Sequence, residues 1–320
     1  MDSWLARYTH SMRERFQTHL RLSVSLVGIA LAVACEASPR ALARPNYVDV
    51  DDAGRVYVSD LHHNRVLRFD ADGSYLGEIG VRGVGRGKLW RVMALAVDAD
   101  GSLLVVDHLP NGGARYDHAY MVVKRFRGGR EVESFPILGP DGEPLGFVEA
   151  LQPLPGGGYV AANIDGGTTY RYDEQFAFQG VFERASGMAH ALAVDGELVW
   201  ALDQYHHSWR AINDAGLGER DFERGGRGAD AVWFPTALDV CPGQWLAIAD
   251  LGNHRVQRYG LDGSYLGGGA PADVSDDRPT QLLDVAITPD CSSMWLVDGK
   301  GDRLLQMGLD GEVLQSIASW

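Results

Sequence analysis

The chain has 320 residues, of which 45% are hydrophobic and 22% charged, with 40 glycines, 3 cysteines and a formal net charge of −14. This composition excludes a disordered chain, a collagen-like chain and a disulfide-stapled miniprotein, and it is long enough for one large domain or two ordinary ones. No basic stripe accompanies the acidic balance, so nucleic acid is not an expected partner.

Residues 1–35 read as a leader outside the fold. Arg13, Arg15 and Arg21 precede an apolar run over residues 22–34 that ends at Cys35. A basic region, a short apolar stretch and small residues at its end mark a secretory signal. The run is shorter than the ~20 apolar residues that span a bilayer. The stretch before it is long, and a start at Met12 rather than Met1 gives a more ordinary signal. Ala32-Val33-Ala34-Cys35 resembles a bacterial lipobox, with Ala32 where leucine is commonest. The resemblance implies that Cys35 is lipidated and tethers an exported protein in the periplasm or cell envelope. Plain cleavage near Ala34 or Ala37 is the alternative, and a retained single-pass anchor a third. Without its arginine-rich leader the chain is more acidic still, so contact with an anionic membrane is expected only through the lipid anchor.

From residue 42 to 320 the sequence repeats. Val48-Asp49-Val50-Asp51-Asp52-Ala53-Gly54-Arg55-Val56-Tyr57-Val58-Ser59-Asp60 matches the stretch 95–107: apolar strand, Asp/Gly turn, apolar strand, Asp. Asn64-Arg65-Val66-Leu67-Arg68-Phe69, then Asp72-Gly73, then Tyr75-Leu76-Gly77 returns as Asn253-His254-Arg255-Val256-Gln257-Arg258-Tyr259, Asp262-Gly263 and Tyr265-Leu266-Gly267. Strands rich in β-branched and aromatic residues joined by Asp-Gly or Gly-Gly turns make each unit a four-stranded meander. Asp60, Asp107, Asn163, Asp203, Asp250 and Asp298 mark the second strand of six units. Repetition at this period predicts an all-β, six-bladed β-propeller as one domain over 42–320.

The pattern resembles the NHL-repeat family, carried by Arg44-Pro45-Asn46, by Phe234-Pro235-Thr236-Ala237 and by the Gly-rich connectors 80–90 and 225–233. Units 1, 2, 5 and 6 match it well, units 3 and 4 loosely. Unit 1 begins with its first strand and unit 6 ends with its fourth, so the ring is expected to close by packing of the first and last blades, without strand exchange.

Alternating strand direction puts the short 1–2 and 3–4 turns on one face, and the long 2–3 loops and blade connectors on the other. Variable loops rich in His, Arg and aromatics, borne on a rigid scaffold, are where recognition of a protein or small ligand is expected. The candidate contacts are Arg115, Tyr116 and His118 in loop 107–121, Tyr205, His206, His207 and Trp209 in loop 203–210, and His62 and His63 in the first loop. Trp90 and Trp233 hold equivalent connector positions; they either rim the same face or pack in the core, and core packing is the expectation.

Metal-ligand spacings such as His-Glu-x-x-His are absent. The residues opening the first strand of each unit are Asn46, Met93, Glu149, His190, Thr236 and Leu283. Ala189-His190-Ala191-Leu192-Ala193 resembles the zinc-histidine segment of the peptide-amidating lyases, a family that needs three such histidines where two are missing here. No resident cofactor is therefore expected. Glu149 and His190 remain as a weak catalytic acid/base pair, or as ligands of a single divalent metal near His190, and a hydrogen-bonded channel histidine is the plainer alternative. The Asp60/Arg65, Asp250/Arg255 and Asp298/Arg303 pairs recur with the fold and read as loop braces, and Arg68, Arg125, Arg171 and Arg258 as a solvated strand face. Cys241 and Cys291 lie near the 1–2 turns of adjacent units, and an oxidising compartment makes a disulfide between them possible if their Cα atoms come within ~7 Å. Three function classes follow: a ligand- or protein-binding module on the loop 2–3 face, a metal-assisted lyase or hydrolase at the channel mouth, and a structural envelope scaffold.

Overall fold

The structure, a computed structural model, describes residues 40–110, 120–184, 189–213, 215–271 and 280–320. Among these, six antiparallel four-stranded sheets follow one another along the chain, each in sequential strand order. The blades begin with Pro45–Val50, Val92–Val97, Val148–Pro153, Ala189–Asp195, Pro235–Cys241 and Leu282–Ile287, and end with Tyr75–Ile79, Arg130–Pro136, Phe178–Arg184, Gly218–Glu223, Tyr265–Gly269 and Val313–Ile317. The 3-10 turn Leu251–Asn253 is the one helical element described.

Each second strand is covered on both sides by neighbouring blades, and Val56–Asp60, Tyr159–Asn163, Trp245–Asp250 and Ser293–Asp298 are accordingly buried throughout. The apolar interior is divided among the blade interfaces. One cluster joins Val58, Leu67 and Phe69 of blade 1 to Trp295, Val297 and Leu304 of blade 6. Another joins Trp200, Leu202 and Trp209 of blade 4 to Leu238, Ile248 and Tyr259 of blade 5. The Asp-Gly turns work as the repeat requires. Gly101 sits at φ +75° and donates its N–H to Asp98 O at 2.8 Å, a left-handed position that suits glycine.

Blade 6 puts a cysteine at the equivalent turn position. Cys291, at φ +57°, donates its N–H to Thr288 O and is joined to Cys241 of blade 5, with the Cα atoms 5.7 Å apart. Replacing both cysteines with serine, or reducing the bond, is expected to destabilise the propeller by about 2–4 kcal/mol. Denaturant unfolding with and without thiol reductant checks this; equal midpoints would show that the link contributes nothing.

Among the described residues no strand is exchanged at closure, but packing is not the whole of it. Leu42 N–H donates to Ala318 O at 2.8 Å and Trp320 N–H to Arg40 O at 3.0 Å, pairing Ala41 with Ser319. The Trp320 ring then stacks on Tyr75 of blade 1 at 4.9 Å, under the Arg65 guanidinium. The two ends of the domain thus clasp each other beside the blade 6–1 seam.

The strand-two acids organise the loop face. Asp107 accepts from Trp90 N–H and Arg91 N–H, Asp250 from Trp233 N–H, and Asp298 from Gln281 N–H, so each fixes the connector entering its own blade. Arg65, Arg255 and Arg303 donate Nε–H to Asp60, Asp250 and Asp298 at 3.0–3.1 Å, charge-assisted braces of loop 2–3. Two of the strand-three arginines are not solvated: Arg125 reaches Tyr159 of blade 3 and Glu133, and Arg258 donates to Leu309 O of blade 6, so these two side chains clamp neighbouring blades. The Arg125 guanidinium also lies over the Tyr159 ring and that of Arg258 over Trp245.

Candidate functional site at the channel mouth

Every first strand carries a register slip near its loop end. In blades 2–6 the slip falls between Val92/Ala94, Val148/Ala150, Ala189/Ala191, Pro235/Ala237 and Leu282/Asp284, which makes Met93, Glu149, His190, Thr236 and Leu283 the extra residues. In blade 1 it lies between Pro45 and Val48. A bulge re-aims a side chain that regular pleating would send into a seam. Glu149, His190, Thr236 and Leu283 line a narrow axial cavity of about 70 Å³, together with Tyr47 of blade 1. Asn46 gives way to its neighbour Tyr47 in that wall, and Met93 packs instead between blades 2 and 3. The cavity is far below the ~300–1,000 Å³ of a pocket for a drug-sized ligand. Such a ligand therefore does not fit within the channel.

At the mouth, Gln204 N–H donates to His190 Nδ1 at 3.4 Å, which leaves Nε2 to carry the proton of a neutral ring. The Tyr205 ring meets the imidazole edge-on at 5.1 Å and is 47% exposed. Tyr205 N–H and His206 N–H both donate to Asp203 Oδ1, so a buried carboxylate fixes the start of this loop. Burial lifts the Glu149 carboxyl above the usual carboxylate range; Arg91, exposed at the entry of blade 2, opposes the rise and Asp165 adds to it. An acid held protonated more readily than usual and an imidazole share one cavity wall. That arrangement can exchange a proton with a bound group. Among the described residues no three His, Cys, Asp or Glu side chains are placed to hold a metal ion. A divalent metal at His190 would have Glu149 as its second side chain from the cavity wall and would need water or ligand for the rest.

The other loop candidates are dispersed around the face. His63 and His206 turn Nδ1 to Asp60 and Asp203 at 2.8 Å, and His62 is exposed beside His63. In blade 4, where Ser208 stands in place of the bracing arginine, His206 is the side chain that engages the strand-two acid. His207 packs on Trp233 at 4.3 Å, accepts Phe234 N–H at Nδ1, and has its protonation suppressed by burial. Trp233 is half-buried there beneath Arg227, while Trp90 is 38% exposed. Trp209 is not on this face. It belongs to strand Ser208–Ile212, is 1% exposed and packs on Phe222 and Tyr259 inside the blade 4–5 interface. The period-2 alternation that starts at Ser208 sends it inward. Arg115, Tyr116, His118 and Cys35 lie outside the described residues.

Sequence reasoning passed over three channel residues. Asp49, Asp239 and Asp284 line the cavity from blades 1, 5 and 6. Their signal was available: each is an acid between two apolar residues inside a first strand, as in Val48-Asp49-Val50.

A six-bladed β-propeller of four-stranded antiparallel blades is the class that the fold defines, with Glu149 and His190 among the residues that line its channel cavity. Solved structures of similar fold are a catalytically inactive virginiamycin B lyase from Staphylococcus aureus with quinupristin and a streptogramin B lyase. The first has a TM-score of 0.59 and 12% identity, over 88% of this chain and 86% of that one; the second a TM-score of 0.58 and 9% identity, over 82% and 92%. At these identities the likeness is one of fold. No family model matches the sequence, and no curated protein matches it.

Proposed function

We propose that this chain is an exported, NHL-type propeller that binds a ligand or protein partner at the mouth of its channel, on the face of the 2–3 loops and connectors. The observation that carries the reading is that bulged Glu149 and His190 line one cavity, with the half-exposed ring of Tyr205 edge-on against His190. An exposed aromatic ring beside polar groups gives contact area and orientation together. The export part of this reading rests on the leader, which ends in a lipobox-like segment; metabolic labelling with a fatty acid, lost in Cys35→Ser, tests the anchor.

Thermal-shift screening of polar metabolites and short peptides against the full chain tests the binding site. A hit should lose at least about tenfold in affinity, roughly 1.4 kcal/mol, in Tyr205→Ala and in Glu149→Gln. A hit that binds both variants as tightly as the parent would place recognition elsewhere.

A second reading, a lyase or hydrolase, is favoured by the raised carboxyl of Glu149 facing the same cavity as His190. Here the two would act as a proton-transfer pair on a ligand held at the mouth, alone or around a divalent ion. Metal analysis of purified protein separates the readings. Stoichiometric metal that is lost in His190→Ala supports the enzyme, and metal-free protein that still binds its hit supports the binding module. Neither metal nor any ligand sensitive to these substitutions would leave an envelope scaffold.

A further inference from the structure

The three channel aspartates share one geometry. Asp239 of blade 5 accepts Ile287 N–H of blade 6 at 2.6 Å, Asp284 of blade 6 accepts Val48 N–H of blade 1 at 2.8 Å, and Asp49 of blade 1 accepts Val97 N–H of blade 2 at 2.7 Å. Each uses its other oxygen for the N–H of the following residue: Val240, Val285 and Val50. They therefore bridge three consecutive seams, 5–6, 6–1 and 1–2, and the middle one closes the ring. Among the described residues no lysine or arginine lines the cavity that they share with Glu149 and His190.

A deeply placed carboxylate with no cation beside it is costly to ionise, and several together are worse, since each repels the others. Asp284 faces Asp49 and Asp239, Asp49 faces Asp239 and Asp51, and the phenol of Tyr47 lies within electrostatic reach of both Asp284 and Glu149. Arg91, exposed at the entry of blade 2, acts on Glu149 and Tyr47. Asp51 is answered on its own turn by Arg55.

We propose that Asp239, Asp284 and Asp49 form a proton-dependent latch that holds blades 5, 6, 1 and 2 together around the channel when neutral and loosens those seams when ionised. Burial raises the three carboxyls to about 6, 8 and 7 respectively. Their values in the unfolded chain lie near 4. Between those limits the folded state holds protons that the unfolded state has released. Stability is therefore highest below about pH 4, falls as pH rises from there, and levels off once pH has passed the folded-state values of about 6, 7 and 8. Each group that titrates raises the unfolding constant by up to about tenfold per pH unit within its own window.

Equilibrium unfolding of the full chain from pH 5 to pH 9 tests the latch, beside the Asp49→Asn/Asp239→Asn/Asp284→Asn variant. The parent's unfolding constant should climb about a hundredfold or more between pH 6 and pH 8, and the variant's should change far less. Backbone amides of Val48, Val97 and Ile287 should lose exchange protection with pH ahead of those in the blade 3–4 seam, where strand one offers Ala150 and Gln152 in place of an acid. A flat parent profile, or one that stays steep in the variant, overturns the proposal. Should the variant not fold, carboxyl NMR titration of the parent decides. Three aspartates with titration midpoints above pH 5 support the latch, and fewer than three end it.

Discussion

Replacing Trp209 with alanine is expected to lower stability by about 3–5 kcal/mol, the range for removing a large aromatic from a packed interior. The indole is enclosed between Phe222 at 5.5 Å and Tyr259 at 4.5 Å, with Leu238 and Ile248 of the next blade in the same cluster. Blades on either side are held by strand registry, so the void would not collapse readily. Trp209→Phe should be much milder, because the indole N–H has no partner to lose. Chemical denaturation of the three proteins checks both statements. A Trp209→Ala protein as stable as its parent would put the ring on the surface after all. The same result bears on function: a binding defect in Trp209→Ala would report damage to blades 4 and 5, whereas one in Tyr205→Ala would report the mouth.

Asp107→Ala is the second large effect, also about 3–5 kcal/mol, the cost of breaking a buried ion pair from one side. Asp107 is fully buried, lies 3.0 Å from the Lys124 ammonium and holds the Trp90 and Arg91 N–H groups at 2.9 Å. Its removal would strand a lysine that is 4% exposed, although Gly85 O and Lys88 O still accept from it. Lys124→Met added to Asp107→Leu should recover part of the loss, since a well-packed apolar pair avoids an unpaired charge. The connector N–H groups would stay unanswered, so recovery should be incomplete. Thermal unfolding of the single and double variants provides the measurement; a neutral Asp107→Ala would mean that the connector is held by other contacts. Because Arg91 opens blade 2 beside Glu149, this substitution should also disturb the mouth.

Most of the architecture was legible in the chain because it is local. Each blade is a meander of neighbouring strands, so Asp-Gly turns and apolar runs specify it within some fifty residues. The Asp250/Arg255 spacing was readable as a brace for the same reason: donor and acceptor sit on one hairpin. The mouth was half legible. Alignment of strand entries selected Glu149 and His190, but the bulge that turns them into the channel is a register effect with no residue signature of its own. Trp209 was misplaced by one step of alternation, because where loop 203–210 becomes strand decides which way an aromatic points.

The sequence by itself determined the number of blades, their internal order and the identity of the loop-bearing face, since all of these follow from period and strand direction. The tertiary structure alone decided what meets across the seams: the clasp of Leu42 with Ala318, the arginines reaching into the next blade, and the aspartates seated on another blade's backbone. Those partners lie from 34 to more than 200 residues apart in the chain. Closing the ring brings them together, and no local pattern in either segment carries the address of the other.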